Sequence, residues 1–181
     1  MSVYSESSTS SSEDLIEKIS HKKDSIILLI NNIILQLIKQ NKSKKNYNLI
    51  IKNQKNNIFS YEKIPNLSVL DYLIRIQKYS KIEENTLICS LIYIDRFALS
   101  KKIIITRYNI HKILFLSILS SLKWNEDLKY KIDYYSKISG IPKQDLFNLE
   151  EEFAEMIKFN YYIKENVFNE YKNYINKSIK E

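Results

Sequence analysis

The run Ile110-His111-Lys112-Ile113-Leu114-Phe115-Leu116-Ser117-Ile118-Leu119-Ser120-Ser121-Leu122-Lys123-Trp124 decides the fold class. Its apolar residues occupy nearly every side of a 3.6-residue period, and a soluble helix that is apolar all round must be buried all round. Ser117, Ser120 and Ser121 are small enough to let neighbouring backbones approach, and their hydroxyls can bond the carbonyl one turn back. The reading predicts an all-α globule with this helix at its centre, wrapped by others.

The surrounding sequence supplies the wrapping. Pro65 and Ser68 open a helix with Val69, Leu70, Tyr72, Leu73, Ile76 and Tyr79 inward and Asp71, Arg75 and Lys78 outward. Glu83 to Phe97 forms the next, and Thr106 or Asn109 can cap the central helix. Glu126 to Ile138 is expected to end at Gly140, the only glycine, in a left-handed cap. Pro142 then stands where a first helical residue would, before a helix to about Asn160 with Leu146, Leu149, Phe153 and Ile157 inward. Upstream, residues 13–40 read as one long helix or a pair broken near Asp24 and Ser25. Residues 1–12 read as a disordered Ser-rich tail, 41–57 as a Lys/Asn-rich linker, and 164–181 as a C-terminal helix.

Composition removes whole classes of chemistry. With 1 Gly and 2 Pro in 181 residues, neither a many-stranded β fold nor a Gly-rich phosphate loop can be built. The lone Cys89 excludes an internal disulfide and a thiolate zinc site, and its apolar setting reads as a small buried hydrophobe. His21 and His111 lie on different helices with no third metal ligand or nucleophile evident, so no catalytic residue, metal or cofactor is expected. The longest apolar run, Ile26 to Ile38, is broken by Asn31, Asn32 and Gln36 and is shorter than the roughly 20 residues that cross a bilayer. No membrane partner is expected. The start lacks an apolar secretory core, so an intracellular protein, nuclear or cytoplasmic, is expected. Much of the net charge of +7 lies in Lys39, Lys42, Lys44, Lys45, Lys52 and Lys55. A lysine and asparagine run without arginine suits solvent better than base recognition, and no nucleic-acid partner is expected from it.

Several residues in order resemble the cyclin box, and most closely that of the short P/U-type cyclins related to the yeast phosphate-pathway cyclin. They are Pro65 with Ser68-Val69 and Asp71-Tyr72-Leu73-Ile74-Arg75-Ile76, then Tyr93-Ile94-Asp95-Arg96-Phe97, Asn109-Ile110-His111-Lys112, Ser121-Leu122-Lys123-Trp124, Gly140, Leu149-Glu150 and Phe153. The resemblance covers about Ile58 to Tyr162 and implies a single five-helix box, residues 58–163, with extra N- and C-terminal helices. A second box has no room. The resemblance also implies a non-catalytic regulatory subunit, acting in cell-cycle or related control, that binds and activates a cyclin-dependent protein kinase. Lys123 and Glu150 match the family positions that reach the kinase backbone, with Trp124 and Phe153 beside them. Asp71, Tyr93, Asp95, Arg96, His111 and Gly140 match the structural motif, with His111 as a packing or hydrogen-bonding residue.

Two departures qualify the match. Cell-cycle cyclins dock Arg-x-Leu motifs on the first box helix through an acidic residue, and Arg75 occupies that position here. A cation there repels such a motif, so no Arg-x-Leu docking is expected. Asp95 also lacks its usual arginine, and Arg75 or Arg96 are the candidate replacements. The alternative to kinase regulation is a cyclin-fold module of the transcription machinery whose basic surface contacts nucleic acid.

Overall fold

The computed structural model of the chain describes residues 12–100, 102–126 and 130–180. The expected tail falls almost wholly outside them, and the side chains of Leu15, Ile16, Ile19 and His21 are likewise outside the description. The described residues form eight helices and no strand: α1 (Ser12–Lys42), α2 (Tyr47–Gln54), α3 (Val69–Ser80), α4 (Glu84–Leu99), α5 (Ile110–Asn125), α6 (Ile132–Ser139), α7 (Lys143–Met156) and α8 (Glu165–Lys180).

α5 is the centre. Every residue from Ile110 to Leu122 is buried except Lys112. α4 lies along it, α3 and α7 pack on its other sides, and α6 closes the gap between those two. Burial leaves the serines of α5 dependent on protein partners. Ser117 donates to the Leu114 carbonyl one turn back at 2.7 Å, as expected. Ser121 instead reaches across to the Thr86 carbonyl of α4 at 2.8 Å. That bond ties the two helices at a point where a larger side chain would hold them apart.

α1 is a single helix, unbroken at Asp24 and Ser25. Its buried residues Ile26, Ile27, Ile30, Ile34 and Ile38 recur at helical spacing and press on α3, α4 and α8. The stretch expected as linker carries the two-turn α2, none of whose residues is buried. Just before it, the buried amide of Asn41 donates to the Ile105 carbonyl at 3.0 Å, and just after it Phe59 enters the core.

Local chemistry sets most helix ends. Ser68 caps α3: its hydroxyl accepts from the Asp71 amide at 3.0 Å and donates to the Asp71 carboxylate at 2.6 Å. Asn109 stands at the cap position of α5 but turns its side chain back. It accepts from the Thr106 amide at 2.7 Å and donates to the Ile104 carbonyl at 2.9 Å, shaping the loop instead of the helix start. Gly140 closes α6 at φ +71°, and nothing would crowd a Cβ there, so its backbone conformation alone calls for glycine. Pro142 is the residue before α7, one place earlier than expected.

His111 is buried at the start of α5. Its Nε2 donates to the Leu67 carbonyl at 2.8 Å, and its ring lies 5.0 Å from that of Tyr72. It therefore fixes the entry to α3. Burial holds its pKa below the usual 6.5, against the opposing pull of its bonds to the backbone.

Phe153 corrects an expectation. The family resemblance places it on a partner-binding face, but it is 0% exposed and stacked on Phe97 with centroids 5.5 Å apart. Phe97 in turn meets Phe59 edge-on at 5.2 Å. A ring sealed inside that column has no surface for a partner.

Two outcomes follow from this packing. Phe153→Ala should lower the unfolding free energy by about 3–5 kcal/mol in urea titrations, and Phe153→Leu should recover most of it. The unfolded chain binds a proton at His111 more readily than the folded one, so stability should fall as pH drops below 6.5 and level off once the folded-state pKa is passed. His111→Gln should flatten that part of the profile.

Candidate functional site

Beyond Leu122 the central helix leaves the core, and the next two side chains emerge at its rim. The Lys123 ammonium meets the Glu150 carboxylate of α7, so the two residues singled out from the sequence lie side by side. Lys123 is the more exposed of the two. Trp124 is 63% exposed and stacks on Tyr161, with centroids 5.1 Å apart and ring planes inclined by 23°. The site is thus an opposed charge pair with an aromatic shelf beside it. Among the other charges, Glu151, Glu152 and Glu155 stand exposed on the outer face of α7.

The shelf is anchored from α4. After α7 the chain turns through Lys158 at φ +57° and Phe159 at φ +53°, a left-handed pair without glycine. Each such residue costs roughly 1–2 kcal/mol, so other contacts must hold the turn. Three consecutive carbonyls supply them. Arg96 donates to those of Asn160 and Tyr162, and the Tyr93 phenol donates to that of Tyr161 at 2.8 Å. The Tyr161 ring is thereby held over Trp124 and edge-on to Tyr93, at 5.7 Å. Burial raises the Tyr161 pKa, a bond to Ser120 lowers it, and nearby Glu150 raises it further.

Asp95 corrects a second expectation, because neither proposed arginine is its partner. Arg96 is engaged as described, and Arg75 donates to the Lys137 carbonyl at the end of α6 at 3.0 Å. Asp95 instead accepts a 2.6 Å bond from the phenol of Tyr171 on α8. Burial raises the Asp95 carboxyl above its ordinary value, and the Tyr171 bond partly restores it. Burial, and after it the same contact, pushes the Tyr171 phenol up. One short motif, Tyr93 to Phe97, thus grips Tyr161, Tyr171, Asn160, Tyr162 and Phe153. Cys89, one turn earlier on α4, is buried, and burial raises its pKa, which keeps the thiol protonated.

Sequence reading missed Tyr161 and Tyr171. Neither belongs to a periodic stripe of strong apolar residues, and their partners lie 68 and 76 positions away. The only hint was an orphaned Asp95 in a motif that normally pairs it.

Comparison with known proteins gives a consistent set of likenesses. A family model described as Cyclin matches residues 7–161. Cyclin-U2-1 of Arabidopsis thaliana is 33% identical over 118 residues, which are 65% of this chain and 53% of that protein. Cyclin-U4-3 of the same plant is 31% identical over 160 residues, 88% of this chain and 70% of that protein. The PHO85 cyclin-like protein psl1 of Schizosaccharomyces pombe is 29% identical over 169 residues, again 88% and 70%. The chain spans about half the length of several of its plant relatives, including Cyclin-U2-1 and Cyclin-U2-2.

Tyr171→Phe should cost about 1.5–3 kcal/mol at neutral pH, the usual worth of a hydrogen bond to a charged group. The loss should shrink once acidification protonates Asp95, since the bond then has no charge to serve. Urea titrations at the two pH values check both statements.

Proposed function

This chain belongs to the cyclin family, of P/U type, and from that premise we propose that it is the regulatory subunit of a cyclin-dependent protein kinase, which it binds and activates. The observation that carries the reading is the Lys123–Glu150 pair where the central helix emerges from the core. A partner's backbone offers carbonyls and amides, and an ammonium beside a carboxylate can satisfy both with charge-assisted bonds. Those bonds fix register. Apolar contact, to which the exposed Trp124 contributes, supplies most of the affinity. A fission-yeast relative named as a PHO85 cyclin-like protein supports a kinase partner.

The mechanism follows from kinase physics. An active kinase has its internal Lys–Glu pair formed and its activation segment ordered. A protein that binds this arrangement more tightly than the inactive one shifts the population by its differential affinity and no further. The cyclin then contributes no catalytic group. The working unit is the box of residues 58–163, with α1 and α8 as braces, acting inside the cell in the nucleus or the cytoplasm.

Exchanging the charges tests the site. Lys123→Glu combined with Glu150→Lys keeps an ion pair within the chain, so stability should change by less than about 0.5 kcal/mol. Toward a kinase both charges are inverted, and capture from coexpression should fall by about 100-fold or more, with loss of stimulated phosphotransfer. An exchanged variant that still captures and stimulates its kinase like the wild type shows the site to be misassigned.

A further inference from the structure

Between the end of α1, the end of α4 and the middle of α8 lies a cavity that the kinase reading does not use. Its volume is about 570 Å³, within the range of small-molecule sites. The wall is largely aliphatic: Ile103 and Ile105 are buried, Leu37 and Ala98 are half-buried, and Leu99 stands in water, 73% exposed. Its shape is held from two sides and is therefore preformed. The Asn41 side chain donates to the Ile105 carbonyl at 3.0 Å, and the Asn41 carbonyl accepts from the Lys44 amide at 3.3 Å. On the opposite side the Tyr171 phenol braces Asp95 from α8.

The charges in the cavity select the occupant. Among the described residues lining it, two are ionised, Asp95 and Lys44. No ion pair joins Asp95 to a described cation: its partner is the neutral Tyr171 phenol at 2.6 Å. Arg96, next along the chain, is spent on the carbonyls of Asn160 and Tyr162. A carboxylate sheltered from water without a cation is poorly compensated, and burial accordingly holds the Asp95 carboxyl above its ordinary value. An ammonium on a guest would supply the missing charge. Lys44 is exposed, so it repels a guest that carries only positive charge and attracts one that also bears a carboxylate.

We propose that this cavity binds a free α-amino acid with a large apolar side chain. Its ammonium meets the Asp95 oxygen that Tyr171 leaves free, its side chain lies against Leu37, Leu99 and Ile103, and its carboxylate meets Lys44. An α-amino acid carries opposite charges on either side of the carbon from which its side chain branches, which suits an anion and a cation set around one aliphatic wall. The inference goes beyond the kinase reading and does not depend on it, since neither Lys123 nor Glu150 lines the cavity and binding here needs no kinase.

The full-length chain, isotopically labelled, is titrated with leucine and with phenylalanine and followed by its amide resonances. At least one of the two should bind with a dissociation constant below about 1 mM and displace the amides of residues 98–105 and Tyr171. Two fragments of leucine separate the contacts, isoamylamine lacking the carboxylate and isocaproate lacking the ammonium. Each should bind about tenfold or more weakly than the intact amino acid. Asp95→Asn keeps an acceptor for the Tyr171 phenol yet should weaken the amino acid about tenfold or more. Lys44→Glu, on an exposed side chain, should weaken the amino acid and strengthen the amine, while far-ultraviolet circular dichroism stays that of the wild type. No binding of either amino acid below about 1 mM, shifts that lie away from residues 98–105, or an affinity unmoved by either substitution overturns the proposal. So does an amine that binds as tightly as the amino acid, which makes this a plain cation site, and so does sedimentation showing the cavity covered by a second copy of the chain. Kinase capture by Lys44→Glu should match the wild type, which separates failure here from failure of the regulatory reading.

Discussion

Burial of α5 from Ile110 to Leu122, all but Lys112, is the constraint on which the rest depends. A helix so nearly buried must find its side-chain hydrogen bonds inside the protein, and its neighbours must pack closely around it. The serines meet the first demand, one within the helix and one across to α4. α3, α4 and α7 meet the second. Because a close-packed core resists small displacements, the residues immediately beyond it inherit its rigidity. Lys123 and Trp124 follow Leu122 directly, so the rim they occupy is set by the core.

The second organising element is the motif at the end of α4. Tyr93 and Arg96 satisfy three successive carbonyls of the segment after α7, Asp95 takes the Tyr171 phenol, and Phe97 stacks on Phe153. These contacts hold a turn whose two left-handed residues, Lys158 and Phe159, would otherwise relax. They also join the rim to the C-terminal helix, because the same stretch that places Tyr161 over Trp124 leads into α8. Support for the site therefore comes from a helix that contributes nothing to its exposed face.

Much of this was legible because helical patterns are local. The all-round apolar run located α5, Pro65 and Ser68 marked the start of α3, and the lone glycine marked the end of α6. Periodicity also placed Phe153 inward, and only the family likeness drew it toward a partner surface; packing decided for periodicity. Asn109 shows a limit of another kind. Its type suits a cap, yet the loop before it offers an amide and a carbonyl that its side chain binds instead.

By itself the sequence determined the helical class and the identity of the central helix, since these depend on spacing within a few turns. Only the tertiary structure decided that Asp95 answers to a phenol on α8 and that Arg96 holds a strained turn. Those pairings join residues far apart along the chain. Their geometry comes from how whole helices cross, and no pattern confined to one helix encodes it.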